Sequence, residues 1–113
     1  MLTNSILAEL FKENLKALGE ETNDAPRERM GSLDMGNVSH AVPSLHAYVA
    51  IAPATGALHT REFARATVSA LGRKGLLLAV QALAMTAIDL LARPEAIEAA
   101  RSEFLNATGR EAP

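Results

Sequence analysis

Residues 75–92 read GLLLAVQALAMTAIDLLA, eighteen positions at which only Gln81, Thr86 and Asp89 are strongly polar. A run this long without Gly or Pro after its first residue is too long for a single strand and reads as a helix. At 100° per residue, Lys74, Gln81, Asp89 and Thr86 fall within a sector of roughly 140°, leaving the rest of the circumference apolar. That pattern predicts a mostly buried helix. Eighteen apolar-rich residues also meet the length of a membrane span. A mid-segment carboxylate costs a few kcal/mol in hydrocarbon, so a buried helix of a soluble protein is the expectation.

Upstream, Ile6, Leu7, Leu10, Phe11, Leu15 and Leu18 make one helical stripe over residues 4–18, with Asn4 or Ser5 as cap and Gly19 placed to end it. Residues 20–30 turn polar around Pro26 and read as a loop. Residues 31–42 hold turn residues and then a short apolar-polar mixture, consistent with one or two helical turns capped by Asp34. Pro43 and Pro53 bracket residues 44–52, where Leu45, Tyr48, Val49 and Ile51 predict a strand. Thr60 is a cap for a helix over residues 61–70, which Gly72 is expected to break before the apolar helix. Pro94 suits a first helical turn, Glu95 and Glu98 complement the dipole, and Ile97, Ala100 and Phe104 form the inner stripe of a last helix ending near Gly109. The expected fold class is therefore mixed α/β and helix-dominated, about four helices with one strand, in a single domain over residues 1–113. There are no internal repeats.

Composition narrows the function classes. Hydrophobic residues are 49% and charged ones 21%, a globular balance rather than a disordered one. A net charge of -2 with one Tyr, three Phe and no Trp offers neither the basic field nor the stacking surface that nucleic acid requires. The absence of Cys removes disulfides, thiolate zinc sites and Cys nucleophiles together, and suits the cytoplasm. The N-terminus shows no basic region leading into a continuous apolar one, so no signal peptide is expected. His40, His46 and His59 are the imidazoles available to a metal, but no HExxH or paired-His helix contains them. No GxSxG elbow accompanies the serines, and Gly72-Arg73-Lys74-Gly75 lacks the spacing of a phosphate loop and reads as a solvated segment before a buried helix.

Residues 31–46, GSLDMGNVSHAVPSLH, resemble the stretch GSTDMGNVSxVVPSIHP of M20-family zinc amidohydrolases and peptidases, in the p-aminobenzoyl-glutamate hydrolase-like branch. Leu58-His59-Thr60-Arg61-Glu62-Phe63 is similar to the family's H-[TS]-x-x-[FW] region, and residues 81–91, QALAMTAIDLL, to its KALAMTAxDLL helix. The resemblance covers about residues 4–106 and places them in the C-terminal part of the catalytic domain, with the helix at 4–18 re-entering after the family's inserted lid. It implies metal-dependent hydrolysis of N-acyl or N-aroyl amino acids and short peptides at two adjacent divalent metals, usually zinc. It maps the last metal ligand of the chain onto His59. A neutral imidazole immediately before a helix cap suits that role, because the rigid helix start limits how far the ring can wander. Asp34 falls at the metal-facing turn, where it either orients ligands or substrate from behind them or acts as an ordinary helix cap. Gly36 and Asn37 are expected to allow close chain approach or a positive φ, while His40 and His46 read as packing or hydrogen-bonding residues.

Leu33 stands where the family usually has Thr, and Gln81 where Lys is common. More consequential is what this sequence lacks: the family's earlier His and Asp ligands, the Glu pair that provides base and ligand, and the lid. Metal-assisted amide hydrolysis needs a held metal, a water activated by it and a base for the proton, so no catalytic residue is assigned and the chain alone is expected to be inactive. The expected partners are an upstream catalytic half or a second copy of the chain, because a lone strand leaves both backbone edges unpaired. Two other readings stay open: a non-catalytic homo-oligomeric binding or structural protein derived from such an enzyme, and a small hydrolase with intersubunit metal sites.

Overall fold

In a computed structural model, which describes residues 1–23, 34–52 and 58–110, the chain forms five helices: α1 (Ser5–Ala17), α2 (Met35–Ser39), α3 (Arg61–Thr67), α4 (Ala70–Ala92) and α5 (Pro94–Thr108). Helix dominance is as the periodicities predict. The loop expected at 20–30 lies outside the described residues from position 24 onward, as do Gly31 to Leu33 and Pro53.

Helix α1 is the organising element. Asn4 caps it, its side-chain oxygen accepting from Leu7 N at 3.2 Å, and Gly19 follows it at φ +83°, a conformation in which a Cβ is costly. Leu10, Phe11 and Leu15 are buried, and Phe11 and Leu15 share a core with Ala82 of α4. Two polar devices fix the arrangement. Asn14 lies within the apolar stripe of α1, and its Nδ2 donates to Thr86 Oγ1 at 3.1 Å and to Asp89 Oδ2 at 2.8 Å, both on α4. Asn4, 4% exposed, donates through Nδ2 to Ala100 O of α5 at 2.9 Å, while its backbone N–H donates to Ser44 O at 2.9 Å. Glu103 of α5 completes this corner by accepting from Ser5 N (2.7 Å), Ser5 Oγ (2.8 Å) and Ile6 N (3.3 Å), which places a carboxylate at the N-terminus of α1.

Helix α4 corrects the expectation of burial. The polar sector that was to be its wet side faces α1 through Thr86 and Asp89, whereas Leu76, Leu77, Val80, Leu83, Ile88 and Leu91 are all more than half exposed. The polar sector is a contact face because Asn14, buried on α1, finds there the oxygens its amide needs. Gly72 does not end a helix, as the sequence suggested. It lies inside α4, which begins after its cap Ser69, and a Cβ there would collide with the Ala66 and Thr67 carbonyls at the end of α3. Gly75 plays the same part against residues 50–51, where a Cβ would lie 2.8 Å from Ile51 Cγ2 and 2.9 Å from Ala50 O. By length and composition α4 could cross a bilayer.

Among the described residues no β-strand is formed. Residues 44–52, expected as a strand, retain a period of two, with Leu45, Ala47 and Val49 packed on the core while Tyr48 is exposed. What is missing is a ladder partner, without which a strand cannot be completed.

Helix α5 starts at Pro94 and ends at Gly109, φ +64°, as anticipated. Ala100 and Phe104 are buried, whereas Ile97 stays 46% exposed.

Candidate functional site

Residues 58–60 lead into α3. Thr60 caps α3, with Oγ1 accepting from Phe63 N at 3.1 Å. His59 immediately precedes that cap, is exposed, and sits at φ +62°. It is the single non-glycine residue with positive φ among the described residues. An L-residue in this left-handed region costs of order 1–2 kcal/mol, and His tolerates it better than most. Strain of this kind persists where surrounding structure dictates it, and it clusters at ligand-holding positions. The Thr60 cap supplies the dictation: φ -112°, ψ 162° at the cap followed by α3 fixes the chain's exit direction.

Asp34 occupies the N-cap position of α2, yet its side chain makes no capping hydrogen bond, and its backbone φ of -61° and ψ of -27° are already helical. Its carbonyl accepts from Asn37 N at 3.0 Å. The expected side-chain cap is therefore absent, and the carboxylate stands exposed. Gly36 is likewise ordinary: it lies within α2 with open space where a Cβ would be and no positive φ, and Asn37 has none either, so the close approach expected there is found at Gly72 and Gly75 instead. What holds α2 is Ser39, fully buried, whose Oγ donates to Gly36 O at 2.7 Å and accepts from Leu2 N at 2.9 Å.

Of the other histidines, His40 is exposed at the end of α2. His46 stacks on Tyr48 with ring centroids 4.9 Å apart and planes at 9°. Its Nδ1 is shielded from water and meets no hydrogen-bond partner among the described residues. The packing role fits the ring face, but the hydrogen-bonding role is unfilled.

Chemically, the described residues contain no group of three or more His, Asp or Glu side chains able to hold a metal ion. His59 offers one nitrogen and Asp34 one carboxylate, and a divalent metal held by protein requires three or four such donors. The donor set of the described residues therefore does not fit a complete metal centre. An apolar groove of about 570 Å³ runs between α1 and α5, walled by Leu7, Pro43, Leu90, Ile97 and Phe104, with neither His59 nor Asp34 in its lining.

Sequence reasoning missed the polar hubs. Asn14 within an apolar stripe was the available signal, since a buried amide there demands partners, and the polar sector of 75–92 was the place to look for them. The left-handed His59 had no sequence signal.

No protein-family model matches the chain, and no solved structure matches it at a significant level. Among curated proteins, the chain is 39% identical over 108 residues to a Xaa-Arg dipeptidase of Mus musculus, covering 92% of this chain and 25% of that protein. It is 36% identical over 108 residues to a Xaa-Arg dipeptidase of Homo sapiens, covering 92% and 24%. The chain thus spans about a quarter of the length of the curated relatives it matches.

Proposed function

We propose, from the identity of the chain to two Xaa-Arg dipeptidases and the resemblance of residues 31–46, 58–63 and 81–91 to M20-family motifs, that the chain is the C-terminal part of the catalytic domain of a metal-dependent M20 peptidase or amidohydrolase. The observation that carries this reading is the 39% identity sustained over 92% of the chain. The substrate class is a dipeptide or an N-acyl or N-aroyl amino acid, cleaved at its amide bond. His59 contributes one nitrogen ligand to a centre, zinc in this reading, whose other ligands and base come from polypeptide outside residues 1–113. Asp34 stands near the chain's other functional turn, its carboxylate unused by the helix it precedes and so available to orient a ligand or substrate.

The left-handed backbone of His59 supports its assignment, since such conformations cluster at ligand-holding positions. In this reading the chain needs that further polypeptide to be active, because the described residues bring no group of three or more ligands together.

The test is a chimera in which this chain replaces the matching 108 residues of the mouse dipeptidase. Once a cooperative melt shows that the chimera folds, the reading expects metal-dependent cleavage of an arginine-terminated dipeptide. His59→Ala should lower kcat by orders of magnitude and weaken metal binding. Full activity in the His59→Ala chimera would defeat the assignment, and robust cleavage by the 113-residue chain alone would defeat the claim of incompleteness.

A further inference from the structure

We infer that Gly72 and Gly75 of α4 are positioning residues for His59: the start of this helix is a seat on which both arms of the chain around His59 rest. Both glycines are buried, and they occupy neighbouring positions of one helix face, about 4.5 Å apart along the axis. Glycine is the poorest helix former after proline, so two of them within one turn weaken α4 unless the missing Cβ is needed. Both positions need its absence.

Gly72 receives the arm that leaves His59. A Cβ there would collide with Ala66 O and lie 2.6 Å from Thr67 O, both backbone atoms at the end of α3. Ala66 O also accepts from Ser69 N at 3.1 Å and from Ser69 Oγ at 2.7 Å. It cannot turn away without breaking those bonds, so a side chain at position 72 displaces α3 itself. A hydrogen-bonded helix of seven residues moves as one piece and carries that displacement to Thr60 and His59 at its other end. Gly75 receives the arm that approaches His59, where a Cβ would lie 2.8 Å from Ile51 Cγ2 and 2.9 Å from Ala50 O. Val49, immediately upstream, packs on the core with Leu45 and Ala47, which ties this arm from its far side. Ile51 stands eight positions before His59 and Ala66 seven after it. The Thr60 cap sets the direction in which the chain leaves His59, and the seat sets where the two arms stand. Such over-determination is the condition under which a non-glycine residue keeps a positive φ. The inference rests on the peptidase reading for what His59 serves, and on the geometry alone for how it is held.

Nuclear magnetic resonance of the isotope-labelled 113-residue chain reads the turn directly, through the amide and imidazole signals of His59 and its three-bond coupling between amide and α protons. Gly75→Ala should shift these signals, and Gly72→Ala should shift them further because α3 transmits the movement. Gly36→Ala is the control: it makes the same change inside a helix where a Cβ meets nothing within 4 Å, and it should leave the His59 signals in place. Adding Ile51→Ala to Gly75→Ala removes the nearest clashing methyl and should bring the signals part of the way back. If Gly72→Ala does not fold, Gly75→Ala and its Ile51 partner variant decide the question. In the chimera with the mouse dipeptidase, Gly75→Ala should lower kcat about ten- to hundredfold with KM little changed, the signature of a misplaced group. His59 signals that stay put in the glycine variants, that move as much in Gly36→Ala, or that fail to return with Ile51→Ala would each overturn the inference. So would an unchanged kcat for Gly75→Ala in a chimera that His59→Ala disables. A chimera fully active without the imidazole defeats the peptidase reading instead, and shifted His59 signals in the 113-residue chain would then still support the seat.

Discussion

The corner where α1 begins and the turn where α3 begins are built from the same ingredients, a capping side chain and a neighbouring polar group, and they behave oppositely. At the first, Asn4 caps α1, donates to Ala100 O and receives backbone support from Ser44, while Glu103 collects three more donors of the first turn. Every polar group there answers another within the chain. At the second, Thr60 caps α3 correctly, but His59 beside it is exposed and held in a left-handed conformation. The first corner is what this sequence needs in order to fold. The second presents an exposed imidazole on a costly backbone, the kind of feature that clusters at ligand-holding positions.

If that contrast is right, disturbance at the first corner is costly and disturbance at the second is not. The largest effect is expected for Phe104→Ala. Phe104 is 7% exposed on α5, and removing a buried ring costs about 3–5 kcal/mol, enough to abolish cooperative unfolding in a chain of this size; urea denaturation followed by circular dichroism measures it. Asn4→Ala comes next, with an expected loss of about 2 kcal/mol in the same experiment, because it removes a cap and the cross-helix bond to the Ala100 carbonyl. A loss under about 0.5 kcal/mol for Asn4→Ala would mean that the corner is not the organising element.

These residues also show where the sequence was legible. Helices were readable wherever a stripe and a cap coincide, as at Asn4 with Leu10, Phe11 and Leu15, or at Thr60 and Pro94. The face of α4 was not readable, because periodicity reports which residues share a side but not which side meets a neighbour. The contact that marks the inner side, Asn14 to Thr86, spans 72 positions of sequence. The 44–52 segment illustrates the same limit. Its alternation of inward Leu45, Ala47 and Val49 is local and was expected, while the ladder that would make it a strand depends on chain that is not adjacent to it. At the site, His59 was singled out by resemblance to a family motif, and its backbone strain could be found only in coordinates.

The corner predicts an acid limit that the turn does not. Burial works to raise the Glu103 carboxyl, but the hydrogen bonds from Ser5 N, Ser5 Oγ and Ile6 N outweigh it and leave the group below its usual 4.5. The hydrogen bond from Asn14, aided by Arg93, likewise lowers Asp89 below 3.8. A carboxylate whose folded pKa is depressed contributes stability above its unfolded pKa and loses it as pH falls through the folded value. Stability should therefore be flat near neutrality and decline as pH drops below about 4.5. Glu103→Gln should lower the plateau and make that decline shallower, which a denaturation series from pH 7 to pH 3 would show; an unchanged slope would remove Glu103 from the account.

The smallest effect is the one that separates strain from packing. At His59 the left-handed backbone disfavours any residue with a Cβ, so glycine gains there what it loses through its greater freedom in the unfolded chain. His59→Gly should be as stable as the parent chain or more stable, and should exceed His59→Ala by about 1 kcal/mol. Both variants lack the imidazole, so their difference reports the backbone alone. If His59→Ala matches His59→Gly, the conformation carries no strain, and the histidine loses the one structural feature that distinguishes it from His40 at the exposed end of α2.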